Sequence, residues 1–145
     1  MADIYEFQLT LDLPSTLSEG DLAVLRWHLG HEDGEQGDYE YPLWDARGPA
    51  RRIGGVLVGE LRSDDWGWAL TVRQESHPDE LDDMNRIVNW LAARTTTAGV
   101  IGYLRFYEDD VPDVLVAQSG SVRCMTLRAE HITDPGERAL PDPGA

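Results

Sequence analysis

Lysine does not occur in this 145-residue chain: all 12 basic residues are arginine, set against 27 Asp and Glu for a formal net charge of -15. Without an amine, a Walker A loop, a Schiff base and a PLP site are excluded in their usual forms. The charge itself argues against DNA or RNA as a partner, because affinity for nucleic acid comes largely from basic side chains that release counterions. Cysteine is nearly as scarce. A lone Cys124 cannot form an internal disulfide or a CxxC-type zinc site. Long apolar runs are also missing, and Met1 to Leu13 alternates polar with apolar behind no basic start, so neither a signal peptide nor a membrane span is expected there. The cytoplasm is the expected compartment, with no membrane partner. GxSxG and HExxH are absent, and no cofactor or catalytic residue is expected.

What is present is a strong two-residue and 3.6-residue periodicity. Tyr5, Phe7, Leu9, Leu11 and Leu13 share one face of a strand, with Glu6, Gln8, Thr10 and Asp12 on the other. Pro14 ends it. Ser18 with Asp21 and Thr16 with Glu19 are equally possible capping boxes, Leu22, Leu25 and Leu29 recur at helical spacing, and Gly30 offers the stop. Residues 53–61 and the alternation Trp66, Trp68, Leu70, Val72 predict a hairpin, with both tryptophans in the core. Pro78, Asp79 and Glu80 suit a helix start before the stripe Leu81, Met84, Val88, Leu91. Strands are expected at 100–107, 113–118 and 121–127. For residues 31–52, a short edge strand over Tyr39–Trp44 is the expectation.

That order predicts an α+β domain over residues 1–132, a ferredoxin-like βαββαβ sandwich in which an antiparallel sheet of order 4-1-3-2 carries both helices on one face. A C-terminal strand pair extends the sheet, and residues 133–145 are expected to be a flexible Pro- and Gly-rich tail. Such a topology gathers three acidic segments at one end: 32–45, 75–83 and 108–113 hold 15 of the 27 acids.

An acidic pole attracts a basic protein and speeds its arrival. The expected partner surface comprises Glu35, Asp38, Tyr39, Tyr41, Trp44, Asp79, Asp82, Asp83 and Asp109, with Tyr39, Tyr41 and Trp44 as apolar anchors. A competing expectation is that those aromatics tuck the loop onto the core. The chain is therefore expected to be a non-catalytic interaction module, such as an inhibitor or immunity-type neutraliser of a basic protein. The alternative is a small-ligand binder or enzyme using the open sheet face, where Arg73, Tyr103, Arg105 and Tyr107 would hold an acidic ligand.

Other candidates carry less. His28 and His31 beside Glu32 and Asp33 lack the second histidine of HExxH, so no metal is expected and both read as surface histidines. Cys124 is expected to be a buried, inert thiol. Arg47, Arg51 and Arg52 before Gly54 and Gly55 suggest an anion site, but no helix start follows them, and they read as charges beside the acidic loop.

Overall fold

The computed structural model describes residues 3–128 together with Gly136 and Leu140. The expected boundary at 132–133 and most of the tail lie outside these residues. The chain runs β1 (Tyr5–Pro14), α1 (Glu19–His28), β2 (Gly48–Pro49), β3 (Val56–Ser63), β4 (Gly67–Ser76), a short 3-10 turn (Pro78–Glu80), α2 (Leu81–Ala92), β5 (Gly99–Phe106), β6 (Asp113–Gln118) and β7 (Ser121–Met125). All seven strands join one sheet of order β2-β3-β4-β1-β5-β6-β7. Every neighbouring pair is antiparallel, so the fold is α+β.

β1 is the central strand, and its alternation sets the register. Phe7, Leu9, Leu11 and Leu13 are buried and stand opposite Gln74, Val72, Leu70 and Trp68 of β4. The same face meets Leu25 and Leu29 from the first helix and Met84, Ile87, Val88 and Leu91 from the second, in one continuous core. Each buried Leu, Ile, Phe or Met contributes about 1.5–3 kcal/mol relative to exposure, so this face outweighs any local preference. The caps agree with the sequence. Ser18 Oγ accepts the Asp21 N–H at 3.1 Å, and after the last turn of α1, Gly30 takes φ +86 while the His31 N–H reaches back to Arg26 O.

Three expectations are corrected. Tyr39–Trp44 is not a strand. The edge strand is Gly48–Pro49 instead, because Leu43 and Trp44 turn inward to complete the core under α1. Trp66 is 89% exposed and not part of the core. Asp64 Oδ1 accepts the N–H groups of Trp66 and Gly67, which closes the β3–β4 turn, and β1 ends at Pro14 opposite Gly67, so no neighbouring strand runs beneath the ring. Trp68, one step inside the sheet, does pack on the core. Cys124 is exposed, because among the described residues β7 is the last strand and no element covers its outer edge.

Candidate functional site

The end of β4, the start of α2 and the 31–47 loop converge at one end of the molecule. What orders that long loop is a set of polar fastenings around a buried core. The Leu43 N–H donates to His28 Nδ1 at 3.2 Å, and the Trp44 N–H donates to His28 O at 2.9 Å. Trp44 is fully buried and lies stacked against Phe7 with ring centroids 6.0 Å apart. Buried Gln74 accepts the Ala46 N–H through Oε1 and donates through Nε2 to Ala46 O and Val58 O. Arg47 finishes the fastening, donating to four carbonyls: Leu29, Trp44, Ala46 and Gly59. Residue 59 must be glycine for this, since a Cβ there would lie 2.7 Å from Arg47 Nη2.

On this fixed loop, Glu40 and Tyr41 face His77, Asp79, Glu80 and Asp83 across a cleft of about 340 Å³ floored by Leu43. The first and second acidic segments do meet. Tyr41 is 68% exposed at its rim. Burial pushes the Glu80 carboxyl above its usual range, and Asp45 and Asp79 add to the rise against an opposing contribution from His77.

The remaining expected partner residues are distributed unevenly. Trp44 is removed from the surface by its complete burial, a correction that leaves it no role as an anchor. Tyr39 is half-buried: its ring stands edge-on to His28 at 4.3 Å and carries the Arg86 guanidinium 4.0 Å from its centroid. Asp38 opens with Tyr39, Arg86 and Trp90 onto a second groove of about 270 Å³ between the helices. Glu35 is exposed, its N–H tied to Ala23 O of α1, and Asp82 is exposed in the first turn of α2. Asp109 is exposed past the end of β5, where its carbonyl accepts from Arg105 Nη1, and it lines neither cleft.

The alternative site fares differently. On the open face, Glu6 is gripped from both sides, by Arg73 Nη2 at 2.9 Å and Arg105 Nε at 3.0 Å. Arg73 also donates to Ile53 O, Gly54 O and Val56 O, and Arg105 to Tyr107 O and Asp109 O. These guanidiniums strap loops onto the sheet. Tyr103 is exposed, and the Tyr107 phenol is pushed up by its hydrogen bond to Glu108. None of the four presents an unused cation to a ligand.

The anion suggested by Arg51, Arg52 and the following glycines turns out to be internal. Glu75 accepts the successive N–H groups of Arg51, Arg52 and Ile53 at 2.6–3.2 Å. Burial works to raise its carboxyl, but the three N–H groups and the Arg51 charge outweigh it and hold the pKa below the usual value.

His28 was not legible as a core residue. It is fully buried, not a surface group, and burial reinforced by the Arg86 charge lowers its pKa to about 4. The one signal in the sequence was its place three residues after Leu25 and six after Leu22, on the apolar stripe. Among the described residues, no group of three or more His, Cys, Asp or Glu is placed to hold a metal ion. No helix among them is long and apolar enough to cross a membrane. Compared with family models, curated proteins and solved structures, the chain finds no match in any of the three.

Proposed function

We propose that this protein is a non-catalytic interaction module whose acidic cleft engages a basic protein, as a cytoplasmic inhibitor or immunity-type neutraliser of a nucleic-acid-directed enzyme would. The observation that carries the reading is an exposed Tyr41 on the rim of a cleft shared with Glu40, Asp79, Glu80 and Asp83, on a loop bolted from beneath by Trp44, Gln74 and Arg47. Carboxylates steer a basic partner and set its orientation, while a desolvated aromatic slows its release. Prior fastening of the loop lowers the ordering cost of binding. Enzymes that act on nucleic acid carry basic surfaces for phosphate, so an acidic, pre-ordered rim is complementary to them.

The fold supports this placement if β1-α1-β3-β4-α2-β5 is read as a ferredoxin-like unit extended by β6 and β7. The central order β3-β4-β1-β5 then brings the β4–α2 junction beside the loop that follows α1. The test begins with a pull-down from native extract at low and high salt. Kinetics with the recovered protein follow. Asp79→Asn with Asp83→Asn is expected to slow association about tenfold or more at low salt, and Tyr41→Ala to speed dissociation at a cost of about 2 kcal/mol. Binding indifferent to salt and to all three substitutions would sink the reading.

A further inference from the structure

Each edge of the sheet is partly obstructed to an added strand. β2 is two residues long and ends on Pro49, which has no N–H to offer. At the far edge, the backbone N–H of Val122 in β7 donates to Asn89 Oδ1 of α2 at 3.0 Å, so the helix has already taken an edge donor. The sheet also has an open face.

On the side away from the helices, the register sets Val100 and Val116 in one row with Arg123, and Tyr103, Val114 and Met125 in the next. Val100 is 52% exposed, Tyr103 40% and Met125 54%. Val114 and Val116 between them are partly exposed. This is a contiguous apolar patch where a solvated sheet face would carry polar residues. No carboxylate stands on this side of β5, β6 and β7. Asp113 at the start of β6 is on the helix side, its Oδ2 3.7 Å from Cys124 Sγ.

We propose that a second copy of this chain covers the patch, face to face about a two-fold axis. A partner drawn by charge has little to hold here: a basic one finds no carboxylate and an acidic one only Arg123. An uncharged apolar patch, by contrast, is complementary to itself under two-fold rotation. On a chain of net charge -15, it is a surface on which two copies meet without opposing carboxylates. The acidic cleft lies toward the end of the sheet where β4 and β5 finish, nearer the Tyr103 row than the Val100 row, and repulsion across the dimer is screened past about 8 Å at physiological ionic strength. Such a patch would form the apolar core of a standard interface of roughly 800 Å² per partner, with Arg123 and the Tyr103 hydroxyl in its rim. Packing of aligned sheets at about -30° brings such faces together.

Sedimentation equilibrium from low micromolar to hundreds of micromolar, at low and high salt, tests this. A reversible monomer–dimer equilibrium is expected, and salt should strengthen it, the opposite of its effect on a basic partner at the acidic cleft. Met125→Glu, at an exposed position, should weaken the dimer at least about tenfold while far-UV circular dichroism and the thermal melt stay unchanged. Val116→Asp should do the same where it folds. A chain that stays monomeric at hundreds of micromolar in high salt overturns the proposal. So does a dimer that salt weakens, or one unmoved by a folded Met125→Glu.

Discussion

Acid should loosen this protein through His28 before its carboxylates account for the loss. In the fold, its Nδ1 accepts the Leu43 N–H, so the neutral ring carries its proton on Nε2. Protonation converts Nδ1 to a donor facing a donor and buries a cation beside Arg86. The folded pKa of about 4 lies below the 6.5 of a free imidazole, so the unfolded chain takes the proton more readily. The stabilisation from the neutral ring is therefore complete above the unfolded pKa, drains away as pH falls from 6.5 towards 4, and changes no further below that. A shift of this size corresponds to about 3 kcal/mol, with about 2.5 kcal/mol of it lost between about pH 7 and about pH 4.5. Against a total stability of about 5–15 kcal/mol this is readily measured. Denaturant unfolding of the wild type and His28→Asn across that range isolates it. The Asn Oδ1 can still accept the Leu43 N–H but does not titrate, and the ring it lacks adds a constant offset. Wild-type stability should fall more steeply than that of the variant, with faster amide exchange at Leu43 and Trp44 near the lower pH. Parallel slopes would refute the assignment of the acid sensitivity to His28.

Two further outcomes follow from the loop's fastenings. Trp44→Ala empties a fully buried site against Phe7 and should cost about 3–5 kcal/mol in denaturant unfolding; a loss under about 1 kcal/mol would mean the loop is not part of the core. Glu75→Gln keeps the shape but removes the charge that three N–H groups bind, so hydrogen exchange at Arg51, Arg52 and Ile53 should quicken about tenfold while exchange in β1 stays slow, and unchanged protection at these three amides would contradict the strap.

The strands and helices were legible because burial of one face leaves a period in the sequence, as at Tyr5–Leu13 and Leu81–Leu91. Trp44 was not. An aromatic between Pro42 and Asp45 in an acidic segment has no period to betray its direction, and only the third dimension reveals the space beneath α1. The polar fastenings were illegible for a related reason. Gln74 and Glu75 are neighbours in β4, yet one is a buried core amide and the other an open-face carboxylate that holds a loop more than twenty residues away in sequence. The meeting of the first two acidic segments was readable from element order, whereas Asp109 of the third lines neither cleft. The apolar anchor was not readable, since Tyr39, Tyr41 and Trp44 look alike in composition and differ only in what lies behind them.

β1 occupies the middle of the sheet, yet its second neighbour is among the last strands to be made. Tyr5 stands opposite Phe106, with the whole βα crossover and the β3–β4 hairpin between them. Synthesis therefore leaves the central strand with an unpaired, strongly apolar flank until β5 leaves the ribosome. Loop closure over such separations makes folding slow, and an incomplete sheet of this kind is a template for pairing between chains. A nascent chain stalled after α2 would hold every group of the acidic cleft and still lack the strand that keeps β1 from a neighbour. For this architecture, any delay before residues 93–106 emerge lengthens the time in which β1 is open to a neighbouring chain.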